Sequence, residues 1–253
     1  MPQPDSLALV DFAENGPFRR TRRDFLTGAA GRRVLGDDYR IRVHRRAMAC
    51  RFEITLASGD AGWVPAARTA LNELDRIESE LSTSFGAVGN GYALDRVAVG
   101  MRESRVLHAL LSAGPSSLLA IGGRGAGWHV AVVSPRRNNA ATDRLLARVW
   151  LRDAAIGTSG AGEPFVMADG TRSGHGIDSR TDRPSSGVLS ASAITSSAEL
   201  ANELSTAFLV GGAELAERYC AEHPDVMALV TLEEGKATLV FGRMRGVTVQ
   251  TVS

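Results

Sequence analysis

Lysine is almost missing from this 253-residue chain, because Lys236 is the only one and arginine supplies nearly all of the 29 basic side chains. Lysine-dependent chemistry is therefore excluded everywhere else. The only two cysteines, Cys50 and Cys220, are far apart without metal-ligand spacing and are predicted to be small buried hydrophobes. The net charge of +1 gives no reason to expect nucleic acid as a partner. No run approaches the roughly eighteen apolar residues of a membrane-spanning helix, so no transmembrane segment is expected.

Residues 1–36 are rich in Arg, Gly, Asp and Pro without periodicity. We expect a basic, mobile arm there, followed by a single domain over residues 37–253. Residues 21–31 read TRRDFLTGAAG, which is similar to a twin-arginine export signal, but Arg32 and Arg33 interrupt the apolar segment of roughly 7–15 residues that such a signal needs. The chain's own evidence therefore favours the cytoplasm. Export to the periplasm through a degraded signal is the alternative.

Hydrophobic periodicity predicts helices and strands that do not follow a βαβ repeat. Alternating apolar residues predict strands over 39–43 and 50–56, and helical spacing predicts a helix over 64–81. Further helices are predicted from residue 92, over 197–210 and over 213–222, and further strands over 148–152, 189–195, 226–232 and 237–241. The sequence thus predicts an α+β fold with mainly antiparallel strands and no internal repeat.

A glycine-rich segment, GGRGAG at residues 122–127, has the glycine spacing of a dinucleotide-binding loop. Such a loop follows a strand and opens a helix, whereas WHVAVV, a strand pattern, follows here. We therefore reject nucleotide binding by this loop. The prediction is a hairpin in which strands over 116–123 and 128–135 pair through the glycine-rich turn.

One turn-rich segment, residues 174–187, reads GHGIDSRTDRPSSG and concentrates residues suited to phosphate chemistry. His175, with a pKa near neutrality, suits the role of general base for a hydroxyl that attacks phosphorus. Arg180 can donate two hydrogen bonds to a phosphate, and small neighbours let backbone amides approach a ligand. The alternative is that Asp178 and Arg180 pair with each other and fix a surface loop.

The predicted helix over 197–210 carries Asn202 and Thr206 four residues apart, so both oxygens lie on one face, with Glu199 approximately on the same face. These three residues can supply oxygen ligands to a hard cation beside phosphate oxygens. The alternative is that Asn202 and Ser205 are polar positions on a half-buried helix, with Thr206 bonded back to the preceding turn.

Several segments, in order, resemble the ApbE-type FAD:protein FMN transferases. The segments read RRAMACRFEITL (45–56), FGAVGNGYALDRVA (85–98), AIGTSG (155–160), HGIDSRTD (175–182) and ANELSTA (201–207). The resemblance runs from about residue 40 to the C-terminus. It implies an ApbE-like, T-fold-like α+β core in which a mainly antiparallel sheet packs against helices.

The resemblance also implies a function: with Mg²⁺, such an enzyme transfers FMN from FAD to a threonine hydroxyl of a target protein and releases AMP. His175 would be the catalytic base. The implied flavin-nucleotide contacts are Met48, Asn90, Ile177, Asp178 and Arg180, and the implied metal ligands are the Ala87 carbonyl, Asn202 and Thr206. The expected partners are FAD and a protein acceptor that carries the threonine.

Several positions depart from the family pattern. Asn90 replaces a lysine, Asn202 replaces a metal-binding carboxylate, and Ser179 and Asp182 replace a proline and a glycine. Asparagine keeps a carbonyl ligand but lacks the negative charge that Mg²⁺ normally needs. Glu199 is an alternative source of that carboxylate.

A larger departure falls near residues 83–85, where the family carries a long helical and loop segment that packs around the flavin. Only Thr83 and Ser84 fill the gap here, so part of one lobe is expected to be missing. These departures leave two functional classes open. One is the transferase, and the other is a catalytically impaired relative that binds nucleotide weakly or serves as an interaction module.

Overall fold

The computed structural model describes residues 40–48, 50–80, 86–135, 145–160, 187–232 and 237–252, and five short strands among the remaining residues. The predicted arm over 1–36 lies outside the described residues except for Asp11–Phe12, which pairs with Ile41 and Arg42. The expected deletion near 83–85 also lies outside them and stays a prediction. Within the described residues, no helix is long and apolar enough to cross a membrane.

A nine-stranded sheet, in which every pairing is antiparallel, forms the centre of the fold in the order β1-β2-β3-β4-β5-β8-β13-β14-β15. These strands are β1 (Asp11–Phe12), β2 (Arg40–Ala47), β3 (Cys50–Ala57), β4 (Ala109–Ala113), β5 (Ser117–Ile121), β8 (Ala155–Gly160), β13 (Val188–Thr195), β14 (Met227–Leu232) and β15 (Thr238–Phe241).

Three smaller sheets complete the strands. One has three strands, β6 (Trp128–Val133), β7 (Leu145–Leu151) and β16 (Val247–Thr251), in the order β16-β7-β6. The others are the pairs β9 (Val166–Ala168) with β10 (Thr171–Ser173), and β11 (Ile177–Asp178) with β12 (Arg183–Pro184).

The described helices are α1 (Val64–Glu80), α2 (Gly86–Glu103) and α3 (Ala198–Glu222). All three pack on one face of the central sheet. On α1, an apolar stripe at helical spacing is buried, consisting of Ala67, Ala70, Leu71, Leu74 and Ile77. α3 breaks at Gly212, whose φ of 76° ends the first helical segment. Two helices were predicted over this range, and the break confirms that division.

The other face of the central sheet packs against the three-stranded sheet. Ile156 and Ile194 from the centre meet Trp128, Val130 and Val149 in one core. Residues on each strand alternate between the two faces, so β5 contributes Leu119 to the helix side and Ala120 to the opposite core. This layering of helices, sheet and small sheet confirms the predicted α+β class with antiparallel strands.

The predicted hairpin over 116–135 is wrong. β5 pairs with β4 and β8, while β6 pairs with β7, so the glycine-rich segment carries the chain from one sheet to the other. Gly123 and Gly127 have φ values of +146° and +109°, which side chains rarely adopt. A Cβ on Gly127 would lie 2.6 Å from the Leu151 carbonyl oxygen. The glycines therefore serve a crossover packed against β7, not a two-strand turn.

Candidate functional site

The helices that bear Asn90 and the candidate metal ligands come into contact at a glycine. A Cβ on Gly91 of α2 would lie 2.5 Å from the Ala198 carbonyl oxygen and 2.7 Å from the Glu199 Cα. No side chain fits in that space, so glycine lets the backbone of α2 come directly against the first turn of α3. The junction between α2 and the beginning of α3 is the centre of the candidate site.

A carboxylate on α2 holds this junction. Asp95 Oδ1 accepts a hydrogen bond from the Ala198 amide at 2.9 Å, and Oδ2 accepts from the Glu199 amide at 3.1 Å and the Ser197 hydroxyl at 2.7 Å. Ser197 is the N-cap of α3, and its Oγ accepts from the Leu200 amide at 3.2 Å. The amides at the beginning of a helix have no acceptors within the helix, and here Asp95 and Ser197 supply the missing acceptors.

Strand β8 supports α3 from the sheet. A Cβ on Gly157 would lie 2.6 Å from both the Ala201 carbonyl oxygen and Asn202 Oδ1, so glycine lets the helix sit on the strand. Two residues further along, Ser159 Oγ lies 2.9 Å from Ser205 Oγ and 3.1 Å from Thr206 Oγ1. These hydroxyls connect the third turn of α3 to the end of β8.

Asn202 and Thr206 lie one turn apart on α3, as their spacing predicted. Asn202 is buried and Thr206 is exposed. The Thr206 hydroxyl lies 3.2 Å from the Asn202 carbonyl oxygen and can donate to it, which is the back-bonded arrangement weighed as the alternative to a metal site. That bond leaves the lone pairs of Thr206 Oγ1 as acceptors. Metal binding by Asn202 and Thr206 therefore stays a prediction.

Two buried polar atoms beside this junction have no hydrogen-bond partner within the described part of the chain. Asn90 Oδ1 lies one residue before the glycine crossing on α2, and Ser117 Oγ lies on β5 opposite Gly157. Ser117 is on the same face of β5 as Leu119, which is the helix side of the sheet. An unsatisfied buried polar atom costs about 1–3 kcal/mol, and a bound ligand or water relieves that cost.

Glu199 lies in the first turn of α3 in an anionic environment. Partial burial raises the pKa of its carboxyl above the ordinary value, and the charges of Glu203 and Asp95 raise it further. No described basic side chain forms an ion pair with Glu199. A cation bound beside this carboxylate would relieve the repulsion.

The remaining predicted residues are distributed as follows. Met48 lies in the turn between β2 and β3 with a φ of +50°, and its amide donates to Glu78 Oε1 on α1 at 2.7 Å. Ala87 lies in the first turn of α2. Ile177 and Asp178 form strand β11, which contacts α3. His175 and Arg180 lie outside the described residues, so their roles stay predictions.

Among the described side chains, no group of three or more His, Cys, Asp and Glu comes together as a metal cluster. The junction instead offers an amide oxygen at Asn202, hydroxyls at Ser159 and Thr206, and the Glu199 carboxylate. All are hard oxygen donors of the kind that Mg²⁺ prefers. The donor types therefore fit Mg²⁺, although only one of them carries charge.

Asp95, Ser117 and Ser159 were not singled out from the sequence as site residues. The partners Asp95 and Ser197 are 102 positions apart in the chain, so no local pattern joins them. The only local signal was the run of Thr195, Ser196 and Ser197 before an apolar helix, which is typical of an N-cap.

Most of this chain is similar to known proteins. Residues 57–230, more than half of the chain, match the family model of the ApbE family. The FAD:protein FMN transferase of Klebsiella pneumoniae (strain 342) is 29% identical over 208 residues, which cover 76% of this chain and 58% of that protein. The Rhodobacter capsulatus protein of the same name is 32% identical over 140 residues, which cover 54% of this chain and 26% of that protein.

Solved structures show the same fold. The ApbE protein from Thermotoga maritima superimposes with a TM-score of 0.65 at 17% identity, covering 81% of this chain and 97% of that chain. The flavin transferase ApbE from Vibrio cholerae gives a TM-score of 0.57 at 14% identity, covering 80% and 96%.

The chain belongs to the ApbE family. Its matched region spans 58% or less of the length of the two transferases described above.

Because the pKa of the Glu199 carboxyl is raised, we expect removal of this carboxyl to stabilise the protein, by an amount that depends on pH. A carboxyl whose pKa is higher in the folded state contributes stability below its unfolded pKa and loses that contribution as pH rises through the folded value. In EDTA, Glu199→Gln should therefore raise Tm at pH 7 by about 1–2 °C, with no gain below about pH 4. Thermal unfolding across this pH range measures it. Glu217→Gln, an exposed change on the same helix, is the control, and an equal gain there would contradict the account.

Proposed function

We propose that this protein is a Mg²⁺-dependent FAD:protein FMN transferase. The observation that carries the proposal is the junction between α2 and the beginning of α3, together with strand β8, which packs against the same helix. There, Gly91 and Gly157 let three of the segments that resemble the family meet at one place. The relatives named FAD:protein FMN transferase support the same reaction.

Each residue has a defined role in this proposal. His175 accepts the proton of an acceptor threonine, whose oxygen then forms a bond to the phosphorus of the FMN half of FAD. The pyrophosphate bond to the AMP half breaks, and AMP leaves with the bridging oxygen. Arg180 and the amides near Ile177 and Asp178 hold phosphate oxygens. Met48 and Asn90 contact the flavin nucleotide.

In this proposal Mg²⁺ would be held by Asn202 and Thr206 on α3 and by the carbonyl of Ala87 in the first turn of α2. Bound there, the ion would neutralise the pyrophosphate and the charge that develops on the leaving phosphate. Glu199 is the alternative carboxylate ligand. The backbone of Gly157 lies against the Asn202 amide, and the Ser159 hydroxyl lies 3.1 Å from Thr206 Oγ1.

Covalent flavinylation tests the proposal directly. Incubation with FAD, Mg²⁺ and an acceptor protein that bears the threonine should give a fluorescent band that survives denaturing electrophoresis. His175→Ala should slow its formation by about 10²–10⁴-fold, because the general base is lost. His129→Ala is the control, since this exposed histidine lies against Trp150 in the three-stranded sheet.

A wild-type protein that forms no band and shows no thermal shift with FAD would contradict transferase activity. Binding of FAD without any band would instead favour the impaired nucleotide-binding relative. Equal rates for His175→Ala and His129→Ala would remove His175 from the reaction.

The metal assignment predicts that Asn202→Asp increases Mg²⁺-dependent activity. A carboxylate at this position adds the negative charge that Mg²⁺ ligation favours, and we expect the half-saturating Mg²⁺ concentration to fall by about tenfold. A Mg²⁺ titration of the flavinylation rate measures it.

Asn72→Asp is the matched control, because Asn72 accepts a hydrogen bond from Arg45 on the exposed side of α1. It adds the same charge at a different surface. An unchanged or higher Mg²⁺ requirement in Asn202→Asp would contradict a metal site at Asn202.

A further inference from the structure

We propose that Asp95 is a positioning residue for the FMN-transfer site, an inference that rests on the proposed function. Its carboxylate fixes the beginning of α3 against α2. It thereby sets the spacing between Asn90 on α2 and the residues Asn202 and Thr206 on α3. Asp95 itself contacts neither substrate nor metal in this assignment.

Both oxygens of Asp95 are used in this contact. They accept three hydrogen bonds of 2.7–3.1 Å from Ser197, Ala198 and Glu199. Thr195 extends the network, because its hydroxyl donates to the Ser197 carbonyl oxygen at 2.6 Å and accepts from the Ser197 amide at 3.0 Å. No described basic side chain forms an ion pair with Asp95. Its described partners are instead the hydroxyl and the amides at the partly positive beginning of α3.

The position of the contact makes it relevant to the site. Asn202 and Thr206 follow Ala198 by four and eight residues, so both lie within about the first three turns of α3. Helix ends fray when their amides lack partners. A displacement of about 1 Å in a catalytic arrangement can lower the rate by about 10²-fold. A loosened first turn would move the two candidate ligands relative to α2.

The same contact has a consequence for the phosphates of FAD. Helix N-termini commonly bind anions through their free amides. At α3, Asp95 and Ser197 already occupy the amides of residues 198, 199 and 200. The pyrophosphate must therefore obtain its donors elsewhere, and the segment with Arg180 is the proposed source.

Asp95→Asn tests the positioning role while it preserves the shape of the side chain. The substitution replaces one carboxylate oxygen with an NH₂ group, and this group cannot accept the hydrogen bonds that the oxygen accepts in the wild type. We expect kcat to fall by about 10–100-fold at saturating FAD, and the half-saturating Mg²⁺ concentration to rise by about tenfold. A thermal shift with Mg²⁺ and FAD gives a second readout that does not depend on turnover, and it should decrease.

Asp153→Asn is the matched control. Asp153 Oδ1 also accepts a hydrogen bond from a backbone amide, that of Gly122, at 2.7 Å. Asp153 lies just before the first residue of β8, whereas Ser159 and the candidate site lie at the other end of that strand. A purely structural loss predicts lower Tm in either variant with unchanged kinetics in the folded protein. Asp153→Asn should behave in that way, with kcat and Mg²⁺ dependence within about twofold of wild type.

Ser197→Ala decides the question if Asp95→Asn does not fold. It removes one hydroxyl and leaves the two amide contacts of Asp95, so we expect a smaller change in kcat and Mg²⁺ dependence in the same direction. Wild-type kinetics in a folded Asp95→Asn, or in Ser197→Ala when the first variant is unfolded, would overturn the positioning role alone. A wild type that forms no adduct would contradict the proposed function as well.

Discussion

The carboxylate of Asp95 joins the two helices on which most of the described candidate residues lie. It satisfies the first amides of α3 and, with the Gly91 crossing, holds α3 directly against α2. The core between α1, α2 and the sheet includes Ala198 and Ala201 from α3. Apolar packing and the hydrogen bonds of Asp95 therefore hold this helix in the same position. The positions of Asn202 and Thr206 depend on both kinds of contact.

Close backbone approach, enabled by glycine, builds the site from elements distant in the chain. The missing side chain of Gly91 lets α2 lie directly against α3, and that of Gly157 lets β8 of the sheet do the same. Around these contacts lie groups that raise the energy of the folded protein. Glu199 is partly buried beside the negative charges of Glu203 and Asp95, and Asn90 and Ser117 bury polar atoms without described partners. Unfavourable groups of this kind often cluster where a protein binds a ligand, and their cost is then relieved by the ligand.

The sequence predicted much of the fold because its signals are local. The apolar period of α1 and the alternation in β2 and β3 lie within single segments. The hairpin over 116–135 failed because a turn-like glycine segment does not reveal which strands pair, and Gly127 is required by contact with Leu151. Motif order identified the family. Asp95 was missed because its role exists only once residue 95 and residues 197–199 meet in space.

Hydrogen–deuterium exchange of residues 196–206 tests most directly whether the junction is where the nucleotide and metal bind. The wild-type protein would be compared alone and with saturating FAD and Mg²⁺, with residues 145–151 of β7 as the internal reference. We expect slower exchange over residues 196–206 when both ligands are present and unchanged exchange in β7. Unchanged exchange over 196–206, in a sample where FAD binding is independently observed, would contradict binding at the junction.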